Sequence, residues 1–358
     1  MSLQFPSYMG TSGNASSALA APMGNYGDIE NKGWEISLNT HPLIGAFEWD
    51  SDFQISFNRN KLRALDGTAN AQIVGYGQWS DVVSVTNVGE SLYNFYGYVC
   101  DGVYEDLEDL QTSAKPAKYP ADGVFNRTNT VWVGDIKYKD LNGDGVIDEN
   151  DRTNIGSPLP KFTFGWTNTF RYKNFDLSLF INGSYGNKVF NYLGMKLTHM
   201  NSPWSNQLNT VLDRAQIVPI DPNKDYSAGV VVNGVTIYNW YDDITNVRVA
   251  NAGATIPRAS IQDPNDNDRI SDRYIEDGSY IRLKNITLGY TFPGKIIKKW
   301  GLDNLRVYAN IQNLLTITGY SGYDPEIGAS TASANVYGLD NGRYPSPTVY
   351  SFGLNVSF

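Results

Sequence analysis

The sequence has few of the residues that usually build metal and redox sites. Its 358 residues include one cysteine, Cys100, and two histidines, His41 and His199, which lie far apart along the chain. A lone cysteine cannot form an internal disulfide, and its place among strand-like aromatic residues indicates a small buried or lipid-facing side chain. Both histidines are interpreted as surface or loop residues. No histidine- or cysteine-based metal centre is therefore expected.

Long apolar runs and basic runs are also missing. No stretch of about eighteen apolar residues occurs, which excludes transmembrane helices. The net charge is −9 without any Lys/Arg-rich segment, so nucleic acid is not expected as a partner. No nucleophile elbow, phosphate-binding glycine loop or zinc motif is present, and an enzyme is not expected. The first residues carry no basic region followed by an apolar region, so they are not a signal peptide.

What the sequence does contain is strict alternation of apolar and polar residues, most clearly in two segments joined by Lys173 and Asn174. The apolar face of the pair consists of Phe162, Phe164, Trp166, Phe170, Tyr172, Phe175, Leu177, Leu179, Ile181 and Tyr185. A period of two predicts β-strands. Strands of soluble proteins usually run about 5 or 6 residues, whereas a tilted membrane-spanning strand needs about 9 to 11. These segments are long enough to span a membrane.

The polar face of the predicted strands is too acidic for a dry core. In residues 47–58, Phe47, Trp49, Phe53, Ile55 and Phe57 oppose Glu48, Asp50, Asp52, Gln54 and Ser56. Unpaired buried carboxylates would each cost several kcal/mol. A water-filled lumen explains this face, and the aromatic content of 13% suits the interfacial girdles of a membrane barrel. The same content also suits a carbohydrate-binding surface.

Further strands are predicted at 34–40, 285–292, 305–312 and 350–358, with a strand-like segment at 92–104. Residues 1–32 and 105–127 are predicted as loops, and residues 59–90 as a turn with a minor hairpin. A long connection at 186–277 contains an expected short helix within 187–200 and a small hairpin turning at Asn233 and Gly234. Long loops on one side are typical of outer-membrane barrels.

A twelve-residue loop carries the clearest chemical motif. Its positions 1, 3, 5, 7, 9 and 12 are Asp140, Asn142, Asp144, Val146, Asp148 and Asp151, with Gly145 at position 6. This is the spacing with which such loops wrap oxygen ligands around Ca²⁺. Position 12 is Asp where EF-hands place Glu, and a strand rather than a helix precedes the loop. The pattern predicts a structural calcium site; the alternative is an Asx-rich turn without an ion.

Weaker binding candidates are aromatic residues of the long connection. Trp204, Trp240 and Tyr241 could stack on sugar rings, although packing of the loop on itself is the favoured interpretation. Glu48 and Asp50 could mimic a glycosidase pair, but carboxylates two residues apart occur on any polar strand face. Two classes of function therefore remain at this point: a transporter, and a secreted all-β module that binds calcium and carbohydrate.

Several strings then carry a family resemblance. They are NKGWEISLNT, FYGYVCDGVY, DIKYKDLNGDGVIDENDR, SPLPKFTFGWTNTFRYKNFDLSLFINGSYG, SDRYIEDGSYIRLKNITLGYTFP, LRVYANIQNLLTITGYSGYDPE and YPSPTVYSFGLNVSF. In sequence and order they resemble the C-terminal third of SusC/RagA-type TonB-linked outer-membrane transporters of Bacteroidetes. The resemblance covers nearly the whole chain.

This resemblance implies an all-β fold, an antiparallel transmembrane β-barrel of 22 strands, of which residues 1–358 form the C-terminal part. The plug domain, TonB box and N-terminal strands would lie outside this sequence. It further implies a place in the outer membrane, in contact with lipid, and import of oligosaccharides or peptides. The implied partners are a SusD-like surface lipoprotein, and TonB with ExbB and ExbD acting through the missing N-terminal part.

Overall fold

The computed structural model describes residues 2–4, 23–25, 27–65, 71–77, 81–328 and 335–358, and its main element is a sheet of seven long antiparallel strands. In chain order these strands are β1 (Gly27–Leu43), β2 (Phe47–Leu65), β3 (Phe162–Tyr172), β4 (Phe175–Tyr185), β5 (Tyr280–Thr291), β6 (Asn304–Thr318) and β7 (Val349–Ser357). Each strand pairs with its neighbours in this order from β1 to β7. The predicted antiparallel all-β fold is confirmed.

The hairpin of β3 and β4 fixes the register at the centre of the sheet. Its pairing runs without a shift from Phe162 opposite Tyr185 to Tyr172 opposite Phe175. The predicted turn lies between these two ends, and Lys173 adopts a left-handed φ of 52° there. Because register fixes which face each side chain points to, the unbroken ladder places the predicted apolar residues of the hairpin on one face, while Phe180, opposite Thr167, lies on the other.

No other part of the described chain covers this apolar face. Trp34 and Phe352 are 79% and 85% exposed, and Phe358 at the end of the chain is 89% exposed. Large apolar side chains in such number on an open face mark a surface that a membrane or another protein surface covers.

Two rows of aromatic side chains cross the apolar face. One row is made by the register-paired residues Phe47, Tyr172, Phe175 and Tyr290, and the other by Trp34, Phe57, Phe162 and Tyr185. Along β2, β3 and β4 the rows lie ten residues apart, from 47 to 57, from 172 to 162 and from 175 to 185. At about 3.3 Å per residue and a tilt of about 40° this is about 25 Å of depth, the height of the apolar band of an outer-membrane barrel.

A polar row interrupts the apolar face between these aromatic rows. Ser51 pairs with Thr40 on one side and Asn168 on the other. The indole of Trp49 donates to Asn168 Oδ1 and that of Trp166 to Ser51 Oγ, both at 2.9 Å. Asn168 is only 4% exposed, so the neighbouring rings shield it. In an apolar medium these hydrogen bonds satisfy polar groups that would otherwise be costly to bury.

Ion pairs cover the opposite face, some between neighbouring strands and one reaching across β5 from β6 to β4. Arg171 of β3 lies 2.5 Å from Asp50 and 3.6 Å from Glu48 of β2, and Arg306 of β6 lies 2.5 Å from Asp176 of β4. His41 Nδ1 lies 2.6 Å from Asp50 Oδ1. The acidic residues predicted to face water are thus largely paired and partly exposed.

Short connections join the seven strands at one end of the sheet, and long connections join them at the other end. The brief joints are residues 44–46, 173–174 and 292–303, the last containing helix α3 (Gly294–Ile297). Residues 66–161, 186–279 and 319–348 form the long connections, which include α1 (Leu107–Thr112) and α2 (Tyr192–Leu197). Within the described ranges, no helix has the length and apolar character needed to cross a membrane.

Many short strands and 3₁₀ turns supplement these elements. The strands are Ser2–Gln4, Met23–Asn25, Gln72–Tyr76, Val82–Asn87, Phe95–Gly97, Cys100–Val103, Lys115–Pro116, Ile136–Tyr138, Val146–Ile147, Thr153–Gly156, Lys188–Asn191, Ile217–Pro219, Val230–Val232, Val235–Ile237, Val247–Val249, Ile275–Asp277 and Leu339–Asp340. The 3₁₀ turns are Glu149–Asp151, Asn209–Asp213, Trp240–Asp242, Ile244–Asn246, Asp272–Tyr274 and Lys298–Trp300.

The hydrophobic core lies in the described residues of the three long connections, which we call the loop cluster. One buried group surrounds Trp132, Ile136 and Val247, and another surrounds Phe95 and Phe190. Hydrogen bonds tie the connections together: Ile136 N donates to Asn267 Oδ1 at 2.7 Å. Lys188–Asn191 also pairs with Leu339–Asp340 of the third connection. The loop cluster is therefore a packed body rather than a set of separate loops.

Several local predictions are corrected by the structure. Residues 105–127 begin with α1 rather than a loop, because Asp106 caps that helix by accepting from Asp109 N at 2.8 Å. The segment 92–104 is two short strands, since Tyr98 N leaves the ladder to bind Ile270 O. The strand expected at 34–40 already begins at Gly27, which pairs with Leu65. Part of the expected N-terminal loop, residues 5–22, lies outside the described residues.

Other local predictions are confirmed. The minor hairpin expected within 59–90 is present and pairs Gln72–Tyr76 with Val82–Asn87, although residues 59–65 continue β2 rather than forming a turn. The hairpin that turns at Asn233 and Gly234 is present, and both residues have positive φ. A helix within 187–200 is α2.

Candidate functional site

The twelve-residue loop lies at the surface of the loop cluster and is held by its own carboxylates. Asp140 accepts from Gly143 N at 2.6 Å and Gly145 N at 2.7 Å, and these backbone donors, above all Gly145, lower the pKa of Asp140. Asp144 Oδ1 accepts from Val146 N at 2.9 Å. Gly143 and Gly145 both have positive φ, which the tight turns require.

Asp151, at position 12, differs from the other acidic residues of the loop in being buried. It is fully buried and accepts from Leu141 N and Asp148 N, each at 2.9 Å. It therefore closes the loop by joining its start to its end. The short strand Val146–Ile147 also pairs with Lys115–Pro116, which fixes the middle of the loop.

The donor set of this loop has the chemistry that Ca²⁺ prefers, because it consists of carboxylate, amide and backbone oxygens. In the described part of the chain, however, no three His, Cys, Asp or Glu side chains are grouped as around a metal ion. The oxygens of Asp140, Asp144 and Asp151 instead face backbone N–H groups. If calcium binds, Asp140, Asn142, Asp144, Val146, Asp148 and Asp151 would hold it, and calcium binding stays a prediction.

The three aromatic candidates are in different surroundings. Trp204 is 94% exposed, so the favoured interpretation that it packs against its own loop is wrong for this residue. Trp240 packs against the buried group around Trp132 and contacts Tyr241 edge to face, with ring centroids 5.8 Å apart. Tyr241 also lies under the guanidinium of Arg127, 5.2 Å from its ring centroid. The structure does not bring the three into one sugar-binding platform.

One cavity of the loop cluster adjoins the twelve-residue loop. Its volume is about 690 Å³, and its lining includes Asp148 and Glu149 together with Arg152, His199 and Asp268. His199 is a loop residue as predicted, but it is buried rather than at the surface. Burial raises the pKa of the Asp268 carboxyl, whose Oδ1 accepts from the Tyr274 hydroxyl at 3.2 Å.

A second cavity of about 630 Å³ is lined by three arginines from two connections, Arg127, Arg214 and Arg258, together with Trp132 and Tyr241. Sequence reasoning missed these arginines. Each stands alone in an irregular segment, and no spacing pattern marks them. Only Tyr241 had been singled out, for its ring.

A buried ion cluster anchors the third connection to the sheet, and it too was missed. Arg282 of β5 is 2% exposed and lies 2.5 Å from Asp324, 2.7 Å from Glu326 and 2.9 Å from Thr316 Oγ1. Lys284 also reaches Glu326, at 3.1 Å. Asp324 gave only a weak signal in the sequence, since a carboxylate needs a cationic partner when it is buried, and the sequence does not show that it is buried.

Cys100 lies in a short strand of the loop cluster, outside the sheet of seven long strands, and is half-buried. Burial raises the pKa of its thiol to about 11, which keeps it protonated and inert.

Comparison with known proteins gives a consistent result, although no family model matches the chain. The chain is 33% identical over 96% of its length to TonB-dependent receptor P3 of Formosa agariphila, and 32% identical over 93% to TonB-dependent receptor P26 of the same organism. It is 26% identical over 93% of its length to TonB-dependent receptor SusC of Bacteroides thetaiotaomicron. It spans 30%, 30% and 27% of these three proteins.

The fold matches solved structures as well. The structure of the RagAB peptide transporter aligns with a TM-score of 0.63 at 18% identity, covering 95% of this chain and 30% of that one. The RagAB peptide importer in its open-open state aligns with a TM-score of 0.62 at 18% identity, covering 100% of this chain and 31% of that one. The resemblance seen in the sequence is confirmed, and the named relatives are receptors and transporters rather than enzymes.

Proposed function

We propose, from the premise that this chain is a relative of SusC-type TonB-dependent receptors, that it forms part of the barrel wall of an outer-membrane transporter. The sequence similarity over 96% of the chain to a protein named as such a receptor carries this proposal. All 358 residues are assigned to one region of the barrel, in which the sheet β1 to β7 spans the membrane.

The exposed apolar face and the two aromatic rows support the placement in a membrane. Their separation of about 25 Å fits the apolar band of such barrels. The ion-paired polar face then lines the lumen, and the loop cluster lies on the extracellular side, where barrel connections are long. TonB-dependent receptors are proteins of the outer membrane, and lipid would contact residues such as Trp34 and Phe352.

The cargo of the proposed transporter is an oligosaccharide or a peptide. One relative is SusC and the matched structures are of a peptide transporter, so both classes are kept. A SusD-like surface lipoprotein would bind over the loop cluster. TonB with ExbB and ExbD would supply energy through parts of the protein beyond these 358 residues.

The alternative of a secreted calcium- and carbohydrate-binding module is disfavoured by the same sheet. A secreted module must cover its apolar face, whereas here Trp34, Phe352 and Phe358 are among many exposed apolar side chains.

A gene deletion tests the proposed function. Cells lacking the gene for the complete protein should fail to take up at least one oligosaccharide or peptide from a panel, and a plasmid copy should restore uptake. Collapse of the proton-motive force should stop the restored uptake, because TonB-linked transport depends on it. Unchanged uptake of every compound in the panel, or recovery of the protein in the soluble secreted fraction, would contradict the proposal.

A further inference from the structure

We infer that the arginine-lined cavity of the loop cluster is a binding site for a ligand carboxylate. Its volume of about 630 Å³ lies within the range of small-ligand sites, roughly 300 to 1,000 Å³. The polar side chains of its lining are Arg127, Trp132, Arg214, Gln216, Tyr241 and Arg258, and no carboxylate of the described chain is among them. The site therefore offers mainly hydrogen-bond donors.

The first observation behind the inference is a buried donor without a partner. Trp132 is 1% exposed, and within the described part of the chain its indole Nε1 has no hydrogen-bond acceptor. The indole nitrogen can only donate, so a ligand at this position must supply an acceptor. Trp132 lines the cavity, and buried polar groups are nearly always paired, so its indole needs an acceptor that a ligand atom or a water would supply.

The second observation is the charge of the cavity. Arg258 is 4% exposed and paired with Asp135 at 2.8 Å, and Arg127 is paired with Asp242 at 3.0 Å. Arg214 is half-buried, and across the described residues its guanidinium forms neither an ion pair nor a hydrogen bond. One uncompensated positive charge thus remains, which suits a ligand group with a single negative charge.

A carboxylate fits this combination of groups. The guanidinium of Arg214 offers a planar fork of N–H donors that matches the two carboxylate oxygens. The Trp132 N–H can donate to one further lone pair of the ligand. The ring of Tyr241, one face of which Arg127 covers, adds a flat apolar wall. The carboxylate could belong to a uronic acid of an oligosaccharide or to the C-terminus of a peptide.

This inference rests on the proposed function only in taking the ligand to be imported cargo. Binding can be measured on the purified complete protein in detergent, without TonB or a membrane potential. Failure of transport and failure of carboxylate binding are therefore separate results.

Titration calorimetry with four probes tests the inference. The acidic probes are trigalacturonic acid and an N-acetylated tripeptide with a free C-terminus. Their neutral counterparts are galactotriose and the same tripeptide as its C-terminal amide. At least one acid should bind, and its neutral counterpart should bind roughly tenfold or more weakly, since a charge-assisted hydrogen bond is lost. The acid that binds identifies the source of the carboxylate.

Variants locate the binding in this cavity. Arg214→Gln and Trp132→Phe should each weaken the acidic probe, Arg214→Gln by roughly tenfold or more. Arg248→Gln removes an exposed arginine outside the lining and should leave affinity nearly unchanged. Arg214 has no partner to lose, so its replacement should not unfold the protein. If Trp132→Phe is unstable, the affinity of Arg214→Gln alone tests whether the acid binds in this cavity. Binding of neither acid, equal binding of the neutral probes, or unchanged affinity in Arg214→Gln would overturn the inference.

Discussion

Two aspartates of the twelve-residue loop have different roles, and mutation can separate them. Asp151 is buried and accepts two backbone N–H groups, whereas Asp144 is exposed and accepts one. Asp151→Ala should raise protease sensitivity near Gly145 with or without calcium, because two partly buried backbone N–H groups lose their acceptor, at a cost of up to about 1 to 3 kcal/mol. Asp144→Ala should raise protease sensitivity only if calcium binds to the wild-type loop and stiffens it.

Limited proteolysis of the complete protein, with calcium and with a chelator, measures this. If calcium binds, the chelator should make the wild-type loop as sensitive as Asp144→Ala. If the protease sensitivity of the wild-type loop does not change with the chelator and equals that of Asp144→Ala, the loop is an Asx-rich turn held by Asp151 without an ion.

A second prediction for a single residue concerns pH. Burial raises the pKa of Asp263 from 3.8 to about 6, although Asn267 donates to its carboxylate. The folded state then holds the proton more tightly than the unfolded state. The resulting stability is fully present below about pH 4 and is lost as pH rises through 6, with an upper limit of about 3 kcal/mol.

Hydrogen exchange of the backbone around Asp263, corrected for intrinsic rates, should show less protection at pH 7 than at pH 4. Asp263→Asn cannot ionise, so its protection should change much less over this interval. The same pH response in both proteins would show that Asp263 is not its source.

Single residues were predictable only where spacing carried the signal. The positions from Asp140 to Asp151 follow a known pattern, and the structure places them in one loop. Arg214 and Trp132 line one cavity only because two connections pack together, and nothing local in the sequence indicates that packing. The role of Asn168 was also missed. A polar residue on the apolar face of a strand is explained only by the hydrogen bond that Asn168 accepts from Trp49 on the neighbouring strand.

At the scale of the strand, β7 offers a test of the two faces. Phe352 lies in register with Ala309 on the apolar face, and Ser351 lies in register with Asn310 on the polar face. Phe352→Arg should impair barrel assembly, at a cost of up to roughly 2 to 4 kcal/mol if the site is near the membrane midplane. Ser351→Arg is the matched control and should be tolerated.

Ser351 is a better control than Asn355, because Asn355 lies in register with Arg306 and a second arginine there would add repulsion. Heat-modifiable migration of the complete protein on gels reports folding of each variant. Equal folding of Phe352→Arg and Ser351→Arg would show that the assignment of faces is wrong.

The anchor of the third connection is a second element that can be tested. Arg282→Met would leave the carboxylate of Asp324, which is 5% exposed, without its cation, at roughly 3 to 5 kcal/mol. The connection 319–348 should then become sensitive to protease. Lys284→Met is the control, since Glu326 keeps Arg282 as a partner. Equal digestion of the two variants would argue against an anchor at Arg282.

The elements that could be predicted are those with an uninterrupted period of two. All seven long strands were expected, but β1, β2 and β6 extend well beyond the predicted ranges 34–40, 47–58 and 305–312. The turn at Lys173 and Asn174 was located directly. A short strand such as Leu339–Asp340 could not be foreseen, because its partner strand, Lys188–Asn191, comes from a distant part of the chain. The register shift between Leu283 and Asn285 likewise depends on pairing with β6.

In the whole molecule, the usual arrangement of a soluble protein is reversed. The buried apolar groups lie among irregular connections, and the most regular sheet exposes its apolar face. The sequence indicated this reversal, because long strands with one acidic face cannot enclose a dry core. It could not indicate that the connections form one packed body, since that depends on contacts such as Ile136 with Asn267.

The central claim is that the sheet β1 to β7 forms a membrane wall with lipid on one face and water on the other. The most direct measurement places single spin labels along β7, from residue 349 to 357, in the complete protein reconstituted into liposomes. Accessibility to oxygen, which partitions into lipid, and to an aqueous nickel complex is then measured at each position. We expect alternation with a period of two, with oxygen maxima at 350, 352, 354 and 356 and nickel maxima between them. Equal exposure of both faces to the nickel complex would contradict it.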